Sequence, residues 1–285
     1  MFKKLGLIGI SLVVLSGCTA AVTDNIIAQD ETPIAVSDAM IAEWQTQFPN
    51  YQIKKLTLAS SDGQATLVGL YFDNKTSDDL IYYIAGNGMK LAQGGIDAML
   101  SLAEYQQDMV IFDRRGLGAS DGKADVASLL ADAKQQIVYV KQEIHPKHLL
   151  VHGYSLGSFV ATQAIKDMSI DGLILQGVAT NATDWVDARL PWYAFWPFVT
   201  VKVSPDIGAL DNTDVVKNYY HGPLLIIAGG EDEMVPPQLA KALYEDSQST
   251  DKQFVLAEHA DHGEMLADAK AVAAYHHFVS VVTQQ

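Results

Sequence analysis

A serine between two glycines is the residue of this chain best suited to chemistry. The stretch Gly153-Tyr154-Ser155-Leu156-Gly157 follows an apolar run at 148–152 and opens a helix-like run at 158–168. At a strand-to-helix turn, the glycines permit a strained backbone that exposes the serine hydroxyl as a nucleophile. The first N–H groups of the helix would then face the reacting carbon and stabilise an oxyanion.

A serine hydroxyl is a weak nucleophile until a base activates it, and the base in turn needs an orienting acid. In one known arrangement the acid and the histidine follow the serine in that chain order. Asp232 follows the strand-like run 223–228, and His262 follows the strand-like run 252–257. We therefore predict Ser155 as nucleophile, Asp232 as orienting acid and His262 as base.

Other titratable residues compete for these roles. His259 lies three residues before His262, and such a pair could also bind a metal ion. No further histidine or cysteine cluster supports a metal, so we expect neither metal nor cofactor. Glu231 and Glu233 flank Asp232 and are expected in solvent. His152 precedes the first glycine and is expected to be a packed strand residue.

The pattern of elements predicts an α/β fold. A hairpin at 51–58 and 65–72 precedes alternating strands and helices, the helices near 94–105, 124–143, 158–168, 237–246 and 267–282. The short apolar strands are typical of a buried parallel sheet, in which ligands bind at the carboxyl ends of the strands. The three predicted catalytic residues all follow strands of this kind.

Four motifs together resemble the α/β-hydrolase family. Besides the serine motif they are Ala85-Gly86-Asn87-Gly88, the segment 112–122 (Phe-Asp-Arg-Arg-Gly-Leu-Gly-Ala-Ser-Asp-Gly) and the segment 230–236 (Gly-Glu-Asp-Glu-Met-Val-Pro). The match runs from about residue 51 to the C-terminus and is closest to Bem46-like, lysophospholipase-like and serine aminopeptidase-like members. The resemblance implies a mostly parallel central sheet flanked by helices, with a short cap insert.

The resemblance also implies roles for particular residues. The backbone N–H groups of Asn87 and Leu156 would form the oxyanion hole. Where the family's motif begins with a histidine, this chain has Ala85. The backbone N–H of Gly88 is therefore an alternative oxyanion donor. The segment 112–122 is interpreted as scaffolding. The implied activity is hydrolysis of acyl esters or thioesters through an acyl-enzyme, with amide or peptide cleavage as the alternative.

A long insert at about 179–220 interrupts the alternation of strands and helices. Its aromatic and proline-rich part, 190–199, makes a poor helix but a good apolar wall. We predict that Trp192, Phe195 and Trp196 bind the substrate above Ser155. The alternative is that these aromatic side chains only pack the insert onto the core.

The N-terminus resembles a bacterial lipoprotein signal. A basic start is followed by an apolar run at 5–15 and by Leu15-Ser16-Gly17-Cys18. We predict a signal peptide at 1–17, acylation of Cys18, a lipid-anchored tether at 18–36 and a hydrolase domain at 37–285. The residue after the cysteine is Thr19 and not an aspartate, which resembles the signals of lipoproteins sent to the outer membrane. We therefore expect a lipid-anchored protein of the bacterial cell envelope, in the outer membrane and facing the periplasm.

The net charge of the chain disfavours some classes of binding partner. The formal net charge is −15, from 34 acidic and 19 basic residues. An acidic surface disfavours binding to nucleic acid and to anionic membranes, so we expect a small acyl-ester or lipid substrate, with membrane contact through the anchor. A non-catalytic lipoprotein that binds a lipid or a partner protein is the alternative from another class.

Overall fold

A mixed sheet forms the centre of the computed structural model, which describes residues 18–190 and 199–284. Its strands are β2 (Tyr51–Ala59), β3 (Thr66–Asn74), β4 (Leu80–Ile84), β5 (Asp108–Phe112), β6 (Leu149–Tyr154), β7 (Gly172–Gln176), β9 (Leu224–Gly229) and β10 (Lys252–Ala257). The spatial order is β10-β9-β7-β6-β4-β5-β3-β2. Strands β2 and β3 pair antiparallel, β3 joins β5 antiparallel, and the other pairs are parallel. The predicted fold class and the initial hairpin are confirmed.

Helices cover both faces of the sheet. They are α1 (Asp38–Gln45), α2 (Gly95–Ala103), α3 (Val126–Tyr139), α4 (Leu156–Ala164), α5 (Ala182–Arg189), α6 (Pro205–Gly208), α7 (Asn212–Asn218), α8 (Pro237–Asp246) and α9 (Ala269–Thr283). Side chains alternate across the strands, so that Tyr82 joins the core under α3 and α4 while Tyr83 joins the core under α2 and α9. All five predicted helices are present. Helix α3 continues as a π-turn to Ile144, which accounts for its predicted length.

The insert adds a small second layer beside the main sheet. Within its described residues it contains α5, the strand β8 (Val199–Val203), α6 and α7. Strand β8 pairs parallel with β1 (Cys18–Val22), which lies before the predicted domain. The aromatic residues Trp192, Phe195 and Trp196 lie outside the described residues.

Residues 18–36 are not the tether that the sequence predicts. Ile27 and Val36 are buried, with exposed fractions of 4% and 3%. The backbone N–H of Asp30 donates to the carbonyl of Gly116 at 2.8 Å, and that of Ile34 donates to the carbonyl of Gly118 at 2.6 Å. Buried apolar surface and backbone hydrogen bonds offset the entropy lost when this segment is ordered.

Among the described residues, no helix has both the length and the apolar character needed to cross a bilayer. The predicted signal peptide at 1–17 lies outside these residues. The acylation of Cys18 stays a prediction.

Candidate active site

Ser155 lies on a strained turn between β6 and α4. Its backbone angles are φ 54° and ψ −119°, a region that side chains other than glycine seldom occupy. Gly157 is required because a Cβ there would overlap the carbonyl oxygen of Ile84, and a Cβ on Gly153 would lie 2.5 Å from the carbonyl oxygen of Gly157. The two glycines therefore let α4 start directly against the end of β4. Strain held in this way is typical of functional sites.

The structure brings the three predicted catalytic residues into one hydrogen-bonded series. His262 Nε2 lies 2.8 Å from Ser155 Oγ, and His262 Nδ1 lies 2.7 Å from Asp232 Oδ2. The other carboxylate oxygen of Asp232 accepts the N–H groups of Met234 and Val235, both at 2.8 Å. The Asp232 side chain is fully buried, and that of His262 is 13% exposed. Such a carboxylate fixes the ring orientation and leaves Nε2 to face the serine.

Neighbouring residues hold the His262 ring. The Tyr154 hydroxyl donates to the His262 carbonyl at 3.1 Å, and the two rings lie 5.1 Å apart between centroids. On another side, a Cβ on Gly177 would lie 3.0 Å from His262 Cε1, and Gly177 has a φ of 60°. A glycine at the end of β7 thus gives the imidazole its space.

The loop after β4 runs beside Ser155. A Cβ on Gly86 would lie 3.3 Å from Ser155 Cβ, so the backbone passes close to this side chain. The hydrogen bonds of the described residues give the N–H groups of Asn87 and Leu156 no acceptor. Backbone donors without an acceptor next to a serine hydroxyl can stabilise an oxyanion. Gly88, with a φ of 84°, lies on the same loop.

A cavity of about 260 Å³ opens beside Ser155. Its polar lining groups belong to Asn87, Ser155 and Arg189. The rest of the lining is apolar or aromatic and includes Ile26, Ile27, Leu129, Leu130, Phe159 and Trp185. A largely apolar pocket with a few convergent polar groups is typical of a small-molecule site. It has the character needed to hold an acyl chain next to the serine.

Part of this chain is similar to known α/β hydrolases. The model of the family described as "Serine aminopeptidase, S33" matches residues 96–220. The lysophosphatidylserine lipase ABHD12 of Danio rerio is 30% identical over 185 residues, which are 60% of this chain and 48% of that protein. An α/β hydrolase domain-containing protein of Arabidopsis thaliana, WAV2, is 26% identical over 172 residues, 56% of this chain and 54% of that protein. The chain therefore spans about half the length of these relatives.

Solved structures agree on the fold. An esterase from Pyrococcus furiosus superposes with a TM-score of 0.67 at 17% identity, over 90% of this chain and 98% of that one. The α/β hydrolase domain-containing protein 10 from mouse superposes with a TM-score of 0.57 at 16% identity, over 81% and 98% of the two chains. This chain has the α/β-hydrolase fold.

The competing histidines of this chain lie apart from the serine. The His259 side chain is 89% exposed and lies 3.4 Å from Glu231, so it pairs with a flanking acid at the surface. His152 is buried, with Nδ1 3.1 Å from the Tyr275 hydroxyl. Burial lowers the pKa of His152 to about 3, which keeps the ring neutral. The described residues contain no cluster of three or more histidine, cysteine or acidic residues that could hold a metal ion.

Sequence reasoning missed the contribution of the N-terminal segment to the hydrolase pocket. Ile26 and Ile27 line the cavity, although they belong to the predicted tether. The signal was present in Asn25-Ile26-Ile27-Ala28, because a flexible polar tether seldom carries two adjacent β-branched apolar residues.

Proposed function

We propose that this chain is a serine hydrolase that cleaves carboxylic acyl esters or thioesters through an acyl-enzyme. The observation that carries the proposal is the series Ser155–His262–Asp232, with both contacts at hydrogen-bond distance and an apolar cavity beside the serine. The curated relative from Danio rerio is a lysophosphatidylserine lipase, which supports an acyl ester as the substrate class.

The reaction proposed uses each residue in one role. Ser155 Oγ attacks the acyl carbon while His262 Nε2 takes the hydroxyl proton, and Asp232 stabilises the imidazolium that forms. The N–H groups of Asn87 and Leu156 stabilise the oxyanion. His262 then returns the proton to the leaving alcohol or thiol. In the second half, His262 deprotonates a water molecule that releases the acid and restores Ser155.

The lining of the cavity favours an acyl chain over an amino-terminal peptide. Among the described residues that line it, the one charged side chain is Arg189, which also donates to the Met234 carbonyl at 2.9 Å. A cation beside the pocket repels the free ammonium group that an aminopeptidase substrate carries. The family description "Serine aminopeptidase, S33" nevertheless makes amide cleavage the second candidate.

We further propose that acylation of Cys18 anchors the protein to the bacterial cell envelope, facing the periplasm. The lipoprotein-like residues 15–18 support this proposal. Metabolic labelling with an alkyne fatty acid tests it, since labelling should disappear in Cys18→Ser. Label that persists in this variant would contradict the anchor.

Paired substrate panels test the proposed chemistry. The purified protein is assayed on p-nitrophenyl esters of increasing chain length and on amino-acid p-nitroanilides. We expect ester hydrolysis that is lost in Ser155→Ala and kept in Ser101→Ala, an exposed serine of α2. Hydrolysis of the anilides alone would favour the aminopeptidase reading, and ester hydrolysis that survives in Ser155→Ala would refute the mechanism.

A further inference from the structure

The Asn87 side chain forms hydrogen bonds that connect two distant parts of the chain to the loop after β4, residues 85–88, here called the oxyanion loop. Its Oδ1 accepts the backbone N–H of Ala28 at 2.8 Å and Arg114 Nη2 at 3.2 Å. Its Nδ2 donates to the Ile26 carbonyl at 2.7 Å. Both ends of the amide are therefore held, which fixes the side chain and limits rotation of the peptide that carries the Asn87 N–H.

Arg114 has an unusual environment for a buried cation. The residue is 7% exposed, and its Nε and Nη1 have no hydrogen-bond partner among the described residues. Burial lowers the pKa of Arg114 to about 10, so the side chain stays charged at neutral pH. Both carboxylate oxygens of the adjacent Asp113 accept other donors, the N–H groups of Leu91 and Ala119 at 2.7 Å. Burying a guanidinium whose one hydrogen-bond partner is neutral lowers the stability of the fold. Such a residue is therefore a candidate for a functional role.

The next residue shows how this chain satisfies an arginine that serves only the fold. Arg115 forms paired hydrogen bonds with Asp62 at 2.6 and 3.0 Å and with Asp132 at 2.7 and 2.8 Å. These bonds join the β2–β3 turn to α3 and use two edges of the planar guanidinium, Nε–Nη2 toward Asp132 and Nη1–Nη2 toward Asp62. Arg114, by contrast, faces a neutral amide on the loop beside Ser155.

The N-terminal segment is firmly attached where it meets Asn87. Gln29 exchanges two hydrogen bonds with the backbone of Ala124, at 3.0 and 3.1 Å. Asp30 pairs with Lys90 at 2.7 Å and accepts the Gly118 N–H at 2.8 Å. Because Ile26 and Ala28 lie within three residues of Gln29, their backbone groups form a fixed support for the Asn87 amide.

We propose that Asn87 and Arg114 are positioning residues, which together with the backbone of Ile26 and Ala28 brace the oxyanion loop. The brace aims the Asn87 N–H at the developing oxyanion, and the guanidinium adds positive potential behind it. Residues 26–30 thus support the oxyanion loop and are not a tether. This inference rests on the proposed function, because it assigns a role within the same site.

Steady-state kinetics on the full-length protein test the brace. We expect Asn87→Ala and Arg114→Met to lower kcat for a p-nitrophenyl ester by about 10- to 100-fold, with KM within about threefold of the wild type. Arg114→Lys should regain part of the loss, because it restores a buried positive charge. The matched control is Asn218→Ala, an exposed asparagine of α7 that should keep full activity.

Affinity for a transition-state mimic separates positioning from structure. A phenylboronic acid forms a tetrahedral adduct on the nucleophilic serine, so its inhibition constant should rise in parallel with the loss of kcat. If the wild type hydrolyses esters while Asn87→Ala and Arg114→Met keep kcat and inhibitor affinity, the brace is refuted and the proposed function stands. If Arg114→Met does not fold, Asn87→Ala decides, since its side chain is at the surface. A wild type without activity refutes the proposed function instead.

Discussion

Two histidine–aspartate pairs of this chain have the same distance between Nδ1 and a carboxylate oxygen but lie at opposite ends of the strands of the sheet. His262 Nδ1 lies 2.7 Å from Asp232, and His148 Nδ1 lies 2.7 Å from Asp79. Both histidine side chains are largely buried, at 13% and 12% exposure. The short contact to a carboxylate therefore does not distinguish a catalytic histidine from a structural one.

Position in the sheet does distinguish them. Asp79 and His148 directly precede β4 and β6, at the amino ends of these strands. Asp232 and His262 follow β9 and β10, at the carboxyl ends where the strained turn of Ser155 and the cavity also lie. A histidine–aspartate pair therefore becomes a candidate catalytic base only when the fold presents a nucleophile and a pocket to the other nitrogen of the histidine.

The same substitution in both pairs should give opposite results, and this is the largest effect expected. An asparagine at 232 cannot stabilise the imidazolium and favours the wrong tautomer, so Asp232→Asn should lower kcat by about 10³- to 10⁴-fold. Asp79→Asn should keep kcat within about twofold and cost about 1 kcal/mol in the free energy of unfolding. Ester hydrolysis and urea unfolding measure the two quantities. Equal losses of kcat in the two variants would contradict the different roles assigned to the two pairs.

A third histidine, His152, has no carboxylate partner and should make the stability of the fold depend on pH. The pKa of His152 is about 3 in the folded protein and 6.5 in the unfolded chain. As the pH falls, His152 is therefore protonated in the unfolded state before it is protonated in the folded state. The stability that the neutral ring contributes above pH 6.5 is lost as the pH falls below this value. Between pH 6.5 and pH 4 this loss amounts to about 3 kcal/mol.

His152→Gln removes this titration and should flatten the pH dependence of unfolding by that amount. Urea unfolding of both proteins across this pH range measures the difference, and the groups that they share cancel in it. Parallel curves for wild type and variant would show that His152 does not contribute.

The smallest effect concerns the largely apolar cavity beside Ser155, which neither His148 nor Asp79 lines. Leu130 lies on α3 and lines the cavity beside Ser155. Leu130→Trp should lower kcat/KM for long-chain esters about tenfold, because the indole fills space that the acyl chain needs. Short-chain esters should be hydrolysed as by the wild type. A loss that is equal for all chain lengths would place the acyl chain elsewhere.

Much of the fold could be predicted because its signals are local. Glycines around Ser155 and apolar runs before Asp232 and His262 mark strand ends, and parallel strands bring such ends together whatever lies between them. The three residues meet in the structure for this reason. His259 was a competitor in sequence alone, since only the course of the loop after β10 shows which ring faces the serine.

The contacts of the N-terminal segment could not be predicted, because they join residues far apart in the chain. Asn87 meets Ala28 and Ile26 across about 60 positions, and no periodic pattern reports such a contact. Polar composition suggested a tether, whereas the hydrogen bonds of Gln29 and Asp30 hold the segment in place. The sequence Arg114-Arg115 likewise does not show which arginine meets Asp62 and Asp132.

Covalent labelling by a fluorophosphonate shows directly whether Ser155 is the nucleophile. The probe reacts with a serine that a neighbouring histidine activates, and peptide mass spectrometry identifies the modified residue. We predict stoichiometric labelling of Ser155 in the wild type and in Asp79→Asn, and none in Ser155→Ala. No labelling of the folded wild-type protein, or labelling that persists in Ser155→Ala, would contradict the assignment of Ser155 as nucleophile.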